Sequence, residues 1–348
     1  MNPTRPAHAP SSSTAIPGID AASLEAWWAR SIADVRPLTF ERIPGGRSNL
    51  TYRVHDRRGT VSVLRRPPVG PLLNSAHDLL REARIVRALA GSNVPVPAVL
   101  AACEDANVIG APFYVMEHVD GVVLHDAAQT EQAFSAPDRR RLSERAIDVL
   151  AGLHCIDPEA QRLGDLGRRD AYVARQLRRW DRQWHESRTR DVPAVDELHA
   201  RLSAAVPAQT RTAIVHGDYR LGNLIVGEDA EIRAVLDWEL CTLGDPLADL
   251  GYTLAWWDTD ADAAGRPLGA VPSAAPEMPS RDELLARYAA RTGFDVSRID
   301  YFLAFAYWRI ACIMEGVRSR DLKTSPETAP PLDQVPALAE LGLEALAR

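Results

Sequence analysis

Lysine is nearly absent from this sequence, and cysteine is scarce. Lys323 is the only lysine among 348 residues, so a site that depends on a lysine elsewhere in the chain is excluded. The four cysteines lie far apart and form no C-x-x-C pair, which argues against a zinc site or a disulfide framework. We expect buried, reduced thiols at Cys103, Cys155, Cys241 and Cys312.

An excess of positive charge and a long apolar run are also missing. The formal net charge is −7, which argues against a nucleic-acid-binding protein held by phosphate contacts and gives no attraction to anionic membranes. The longest apolar stretch, Tyr301 to Val317, contains Arg309 and Glu315, so it predicts a buried helix instead of a membrane span. The first twenty residues lack the basic start and apolar core of a signal peptide, and we expect a cytoplasmic protein.

What the sequence does contain is a cluster of polar residues between His216 and Glu239. Two apolar runs, Asn223 to Val226 and Ile232 to Leu236, flank a short turn and predict a β-hairpin. Asp218 precedes the first run, and Asp237 follows the second. The antiparallel return of the hairpin should therefore bring Asp237 beside the loop that begins at Asp218.

These polar side chains indicate phosphoryl transfer. Carboxylate and amide oxygens gathered at one point suit Mg²⁺, which takes few protein ligands and keeps water and substrate phosphates around it. The order is that of protein kinases, in which an Asp is followed five residues later by an Asn and then by a second Asp. It predicts Asp218 as the base that orients the acceptor hydroxyl, and Asn223 and Asp237 as ligands of Mg²⁺.

Before this hairpin, the chain predicts a small antiparallel sheet. Turns containing glycine and aspartate separate the first three strand-like runs, and a helix precedes the last two. The five expected strands are Pro37–Ile43, Asn49–His55, Thr60–Arg65, Pro95–Ala102 and Pro112–Glu117. The first turn is glycine-rich. Gly45, Gly46, Ser48 and Asn49 could therefore offer N–H groups and side-chain donors to nucleotide phosphates, although two glycines also suit an ordinary turn.

A carboxylate on the intervening helix indicates a second nucleotide contact. Glu82 falls on the apolar face of a helix that ends near Ala90, where a charge is costly unless it is paired. Glu82 either lies at the edge of that face and reaches water, or pairs with a cation on the third strand. In protein kinases this cation is a lysine of the third strand, but no lysine is available there. We choose Arg65 over Arg66 because of its place in that motif, with Val63 on the same face of the strand.

The connection after the fifth strand divides the chain. Residues 1–20 are expected to be a disordered tail, residues 21–118 a nucleotide-binding lobe, and residues 119–348 a helical lobe for catalysis and acceptor binding. Free backbone groups at Glu117 and Val119 could pair with an adenine edge, although composition alone would make this segment a strand end. The fold class is α+β, with one main helix beside the five-stranded antiparallel sheet and the catalytic β-hairpin in the mostly helical second lobe.

The sequence resembles the aminoglycoside phosphotransferase family, which includes choline kinase-like enzymes. The resemblance rests on His216-Gly-Asp-Tyr-Arg-Leu-Gly-Asn, Leu236-Asp-Trp-Glu and Gly244-Asp-Pro-Leu-Ala-Asp, within about residues 35 to 320. Val63-Leu-Arg-Arg-Pro-Pro and Gly110-Ala-Pro-Phe-Tyr-Val-Met-Glu resemble the branch of kinase domains fused to some acyl-CoA dehydrogenases. The resemblance implies a bilobal protein-kinase-like fold and Mg²⁺ with ATP (GTP being the alternative). It also implies a bracing role for Asp249 beneath the predicted catalytic loop, His216 to Asn223.

Two positions depart from the family pattern. Arg65 stands where many relatives have lysine, which changes the geometry of its contact with the α- and β-phosphates. Trp238-Glu239 stands where protein kinases have Phe-Gly, so no flipping activation segment is expected.

The acceptor is predicted only by class. The expected reaction is ATP-dependent transfer of the γ-phosphoryl group to a hydroxyl of a small molecule. Three aspartates would suit a polycationic antibiotic, and thus an aminoglycoside or macrolide phosphotransferase: Asp258, Asp260 and Asp262. Three arginines suit an anionic acceptor such as a hydroxyacyl-CoA instead: Arg220, Arg309 and Arg318. We favour the anionic acceptor. Neither nucleic acid nor a membrane is expected as a partner, and the oligomeric state stays open.

Two other classes of function stay open. An inactive kinase-like protein, binding nucleotide or acting as a scaffold, agrees with the missing strand lysine, whereas the intact Asp218/Asn223/Asp237 set argues against it. A metal-dependent hydrolase could use the same aspartates without nucleotide. No second and third histidine with ligand spacing follow His216, so a loop-bracing role is favoured for that histidine.

Overall fold

The computed structural model describes residues 16–44, 49–70, 78–257, 267–269 and 271–348. The chain divides into two compact units. The first comprises the residues up to Ala83 together with Ala98–His118, and the second comprises Arg84–Pro97 and Val119–Arg348. Several sequence predictions fall outside the described residues: residues 1–15 of the tail, Gly45, Gly46, Ser48, Asp258, Asp260 and Asp262.

The first unit is built on a five-stranded antiparallel sheet, as predicted. Its strands are β1 (Thr39–Arg42), β2 (Leu50–His55), β3 (Val61–Arg66), β4 (Val99–Cys103) and β5 (Phe113–Glu117). The order across the sheet is β1-β2-β3-β5-β4, so β5 lies between β3 and β4. Helix α1 (Ala21–Ser31) precedes the sheet in the chain, and α2 (Leu79–Leu89) stands between β3 and β4.

Side-chain alternation along β3 directs its two arginines to opposite faces of the sheet. Val63 packs against the α2 side, in a cluster with Leu79 and Ala83. Leu64 packs on the other side, in the core that contains Trp27 and Trp28 of α1. Arg65 therefore shares the α2 face, as the alternation predicts, and Arg66 lies on the α1 face.

The second unit is mostly helical. Its helices are α3 (Ala127–Ala133), α4 (Ala136–His154), α5 (Tyr172–Ser187), α6 (Pro193–Ala204), α7 (Pro246–Ala255), α8 (Arg281–Thr292), α9 (Ile299–Thr324) and α10 (Gln334–Leu346). The predicted buried helix is α9, in which every residue from Tyr301 to Cys312 is buried. It packs against α5, α6, α7 and α10, which explains its apolar character on all faces. Across the described parts of the chain, no helix is long and apolar enough to cross a membrane.

Short strands of the second unit position the candidate site. β7 (Leu224–Val226) and β8 (Ile232–Val235) form the predicted hairpin. β6 (Ala213–Val215) leads into the Asp218 loop and pairs with β9 (Thr242–Gly244). Neither β9 nor α3 was predicted, because such short segments hold too few residues for a periodic pattern.

The cysteines are thiols without disulfide partners, as expected. The prediction that all of them are buried is wrong for Cys155, which is exposed. Cys155 follows the last turn of α4, where the chain leaves the helix. The other three are buried: Cys103, Cys241 and Cys312.

Candidate active site

The predicted hairpin ends where Asn223 and Asp237 come together. Leu224 pairs with Val235 in the hairpin register. The backbone N–H of Leu236 then donates to the carbonyl oxygen of Asn223 at 2.8 Å. Asp237 is the residue after Leu236, so the backbone places it at the end of the hairpin where Asn223 lies.

Asp218 and Asn223 are in direct contact. The Asn223 amide donates to Oδ2 of Asp218 at 2.9 Å and to the Asp218 carbonyl oxygen at 2.8 Å. The other carboxylate oxygen lies 3.4 Å from Nε of Arg220. Tyr252 lies near the same carboxylate: burial raises the pKa of its hydroxyl, and the negative charge of Asp218 raises it further. Asn223 and Arg220 therefore orient the carboxylate, as a base that must meet a hydroxyl requires.

His216 connects the segments that carry the two aspartates. Its Nδ1 accepts from the backbone N–H of Asp218 at 3.2 Å, and its Nε2 lies 2.9 Å from the carbonyl oxygen of Leu236. Leu236 is the residue before Asp237. These contacts fit the neutral ring with its proton on Nε2. The ring is fully buried, so the contacts favour the loop-bracing interpretation.

Asp249 of α7 lies against the catalytic loop, as the family resemblance implies. Its carboxylate accepts from the backbone N–H groups of His216 and Gly217 at 2.6 and 2.8 Å, and lies 3.3 Å from Nε2 of His154. Burial alone would raise the pKa of Asp249, but its contact with His154 and the hydrogen bond from the N–H of Gly217 hold it below its usual range. An ionised carboxylate therefore fixes two successive amides of the loop.

Replacing Asp249 with asparagine should destabilise the protein. Asparagine has one acceptor oxygen in place of two, so one of the two buried N–H groups loses its partner at a cost of about 1–3 kcal/mol. Urea unfolding followed by circular dichroism measures the loss. The control is Asp295→Asn, at an exposed aspartate that accepts from the Ser297 N–H, and its unfolding midpoint should match wild type. Equal midpoints for the two variants would contradict the bracing role of Asp249.

The geometry of Asn223 and Asp237 fits a magnesium site. The amide nitrogen of Asn223 is held by Asp218, and among the residues that the structure describes no group donates to its side-chain oxygen. Asp237 adopts left-handed backbone angles of φ 67 and ψ 63, which aspartate and asparagine tolerate better than most residues. No group of three or more histidine, cysteine or carboxylate side chains that could hold a metal occurs in the described ranges. One amide oxygen and one carboxylate suit Mg²⁺, which needs few protein ligands.

Arg65 and Glu82 form the expected ion pair within the first unit. Nη1 of Arg65 lies 2.7 Å from Oε1 of Glu82, whose side chain is only 1% exposed. This burial excludes the alternative in which Glu82 reaches water. The same oxygen accepts from the Tyr114 hydroxyl at 3.1 Å, and Tyr114 stands opposite Arg65 in the register of β3 and β5. Tyr114 was not predicted as part of the site, because an aromatic residue on a buried strand resembles ordinary core.

The other candidate nucleotide contacts that the structure describes are Asn49, Glu117 and Val119. Asn49 is buried just before β2. Glu117 is exposed, and its backbone N–H donates to the carbonyl oxygen of Ala98 at 2.9 Å. An adenine contact at Glu117 would therefore have to use its carbonyl oxygen. Val119 begins the longer segment of the second unit, and no described residue accepts from its backbone N–H.

Two of the three arginines expected near the acceptor lie at the catalytic loop. Arg220 contacts the Asp218 carboxylate, and Arg309 donates to the carbonyl oxygen of Gly217 at 2.5 Å. Arg318 instead donates to a backbone carbonyl of the segment after α9. The helical rise of about 1.5 Å per residue places Arg318 roughly 14 Å along α9 from Arg309. The expectation that all three lie together is therefore wrong for Arg318.

Residues 39–302 match the phosphotransferase enzyme family, APH. The match covers most of the chain, including the catalytic loop and the hairpin, so the chain belongs to this family. A choline kinase from Cryptosporidium parvum has the same fold, with a TM-score of 0.64 over 94% of this chain and 96% of that one. Its sequence is 12% identical, so the likeness concerns the fold alone, and it confirms the predicted protein-kinase-like fold.

Two relatives are closer in sequence. Acyl-CoA dehydrogenase family member 10 of Mus musculus is 38% identical over 299 residues, which are 84% of this chain but only 27% of that protein. A crystal structure of a proposed aminoglycoside phosphotransferase from Ralstonia eutropha is 35% identical, with a TM-score of 0.79 over 94% of this chain and 98% of that one. These findings confirm the predicted family and its acyl-CoA dehydrogenase branch, and they support a phosphotransferase activity.

Proposed function

We propose that this chain transfers the γ-phosphoryl group of ATP to a hydroxyl of a small molecule that carries an anionic group. One observation carries the proposal: Asn223 contacts Asp218 at the end of the hairpin, and the second strand of that hairpin leads to Asp237 at the same end. Membership of the phosphotransferase family supports the reaction class. GTP is the alternative nucleotide.

Each polar side chain of the loop has a proposed part in the reaction. The Asp218 carboxylate takes the proton of the acceptor hydroxyl while the hydroxyl oxygen bonds to the γ-phosphorus and ADP leaves. Asn223 and Asp237 would hold Mg²⁺, which neutralises charge on the β- and γ-phosphates when it is bound. Asn223 also orients Asp218 through its amide, so one residue would serve both the metal and the base.

In the first unit, the pair of Arg65 and Glu82 is proposed to bind the α- and β-phosphates. Arginine presents several donors in one plane, so Nη1 can bind Glu82 while another donor binds phosphate. The proposal extends to further nucleotide contacts. These are Gly45, Gly46, Ser48 and Asn49 at the phosphates, and Glu117 and Val119 at the adenine edge.

Arg65→Ala should raise the KM for ATP about ten- to a hundredfold, because a charge-assisted hydrogen bond contributes about 1.5–3 kcal/mol. Arg65→Lys should recover part of the loss, since it keeps the cation. Steady-state kinetics at varied ATP measures the effect. Arg53→Ala is the control, because Arg53 is an arginine of β2 whose side chain is 42% exposed and lies 3.5 Å from the carboxylate of Glu41. An unchanged KM in Arg65→Ala would exclude Arg65 from the nucleotide site.

The acceptor class is proposed from Arg220. Its guanidinium lies next to the Asp218 carboxylate and 5.2 Å from the ring centre of Trp256, and its side chain is 35% exposed. A partly exposed arginine supported by an aromatic ring can bind a carboxylate or phosphate of a substrate whose hydroxyl reaches Asp218. The same charge would disfavour a polycation. The name of the mouse relative, an acyl-CoA dehydrogenase, agrees with a hydroxyacyl-CoA acceptor.

Aminoglycosides and macrolides are the second candidate acceptors, because the Ralstonia eutropha protein is named for aminoglycosides. The deciding experiment is an ADP-release screen with Mg·ATP across aminoglycosides, macrolides, choline-like amines and hydroxyacyl-CoA compounds. We expect activity on the hydroxyacyl-CoA compounds. Activity on aminoglycosides alone would overturn the anionic class. Mg²⁺-dependent phosphate release from simple phosphoesters without nucleotide would indicate a hydrolase.

A further inference from the structure

Arg309 is buried in the middle of α9, and its side chain forms no salt bridge with any described carboxylate. It is 5% exposed, and the helix residues on either side of it are buried. A buried guanidinium without a counter-charge is costly, and an apolar side chain would pack into α9 at lower cost. The presence of arginine at this position therefore needs a reason other than packing.

Two aromatic rings and one carbonyl group surround the guanidinium. Its Cζ lies 5.4 Å from the ring centre of Trp180 and 4.7 Å from that of Tyr252. Nη2 donates to the carbonyl oxygen of Gly217 at 2.5 Å, while Nε has no hydrogen-bond partner in the described part of the chain. The cation is thus held by the faces of two rings, with one donor aimed at the catalytic loop.

The Gly217 carbonyl belongs to the same peptide unit as the backbone N–H of Asp218. That N–H donates to Nδ1 of His216 at 3.2 Å. The planar unit is therefore bonded at its oxygen by Arg309 and at its nitrogen by His216, which resists its rotation. Gly217 has a φ of 87, and a Cβ at this position would lie 2.9 Å from the carbonyl oxygen of Leu240. Glycine adopts this φ without strain, and the absence of a side chain lets the loop pass this close to Leu240.

Arg309 also packs against Tyr252, a neighbour of the Asp218 side chain. Its guanidinium lies 4.7 Å from the centre of the tyrosine ring, and the charge of Asp218 is felt at the hydroxyl of that ring. One arginine therefore contacts both the peptide unit that carries Asp218 and a side chain beside its carboxylate.

We propose that Arg309 is a positioning residue for Asp218. It acts through the Gly217 peptide and Tyr252. The inference rests on the proposed function for the role of Asp218, whereas the order of the loop can be measured without any reaction. A displacement of about 1 Å at a reacting group can lower turnover about 10²-fold, so a small loss of order should have a large kinetic effect.

Hydrogen–deuterium exchange and kinetics of Arg309→Met and Arg139→Met test this role. Arg139 is the matched control, because it is a buried arginine of the same unit. Its partners among the described residues are two backbone carbonyls, at 2.8 and 2.9 Å. We expect Arg309→Met to speed exchange of the amides of Gly217 and Asp218 at least about tenfold, because their local opening becomes easier. With the acceptor from the ADP-release screen, kcat should fall about 10²-fold while the KM for ATP stays within about twofold. Arg139→Met should show neither change.

Equal exchange at this loop in wild type and Arg309→Met would overturn the inference, and so would equal losses of kcat in Arg309→Met and Arg139→Met. If wild type phosphorylates no acceptor, the proposed function fails, while the exchange comparison still decides whether Arg309 orders the loop. If Arg309→Met does not fold, Arg309→Gln takes its place. Its neutral side chain is too short to reach the Gly217 carbonyl, so the same increase in exchange is expected.

Discussion

Asp218→Asn should lower kcat by a factor of about 10²–10⁴ and leave the affinity for Mg·ATP nearly unchanged. Asparagine keeps the shape of the side chain and an oxygen that can accept from the Asn223 amide. In wild type this amide lies 2.9 Å from Oδ2 of Asp218. It removes the group that takes the proton of the acceptor hydroxyl. The kcat is measured with the acceptor found by ADP release, and the affinity by calorimetry without acceptor.

Asp229→Asn is the matched control for this substitution. Asp229 lies in the turn of the same hairpin, at the opposite end from Asp218, and its side chain is 51% exposed beside Arg233. Surface substitutions of this kind rarely disturb a fold, so kcat should stay within about twofold of wild type. If Asp218→Asn keeps more than about a tenth of the wild-type kcat, Asp218 is not the base.

Asp237→Asn should remove the effect of Mg²⁺ on nucleotide binding and lower kcat by about 10²–10³. Asparagine tolerates the left-handed backbone at φ 67 almost as well as aspartate, so the variant tests the carboxylate and not the backbone. Without the carboxylate, Mg²⁺ loses its charged protein ligand. Thermal unfolding measures the effect. In wild type, ATP with Mg²⁺ should raise the unfolding temperature more than ATP alone does. In Asp237→Asn, ATP should raise it by the same amount with and without Mg²⁺.

The same unfolding experiment separates the classes of function. Asp229→Asn should keep the additional stabilisation by Mg²⁺, and an equal Mg²⁺ effect in Asp237→Asn would exclude Asp237 from the metal site. Nucleotide-induced stabilisation without turnover on any acceptor would indicate an inactive kinase-like protein. If no purine nucleotide stabilises wild type, the kinase proposal fails.

Local patterns predicted the central part of the candidate site. The two apolar runs and the turn of the hairpin place Asn223 and Asp237 at one end, because hairpin geometry depends on neighbouring residues. Alternation along β3 likewise directs Arg65 to the face where Glu82 lies. The capping box of α8 is a further local feature, since Ser280 and Glu283 bond each other's backbone as their spacing predicts.

Contacts between distant segments could not be predicted in the same way. Tyr114 and Tyr252 lie among apolar neighbours on a strand and a helix, so in the sequence they resemble ordinary core residues. Arg309 and Arg318 share one helix and were expected near the same acceptor, but the rise of the helix separates them. Which of them meets the catalytic loop depends on how α9 packs against α5 and α7.

The sequence by itself determined the five-stranded sheet, the hairpin between Asn223 and Asp237, and the polar side chains proposed for the site at its end. Short-range backbone geometry sets these features, and it can be inferred from alternation and turn residues. Only the tertiary structure decided that Tyr114 joins the pair of Arg65 and Glu82, and that Tyr252 and Arg309 meet at the Asp218 loop. Such contacts arise from the packing of elements far apart in the chain, for which no local pattern exists.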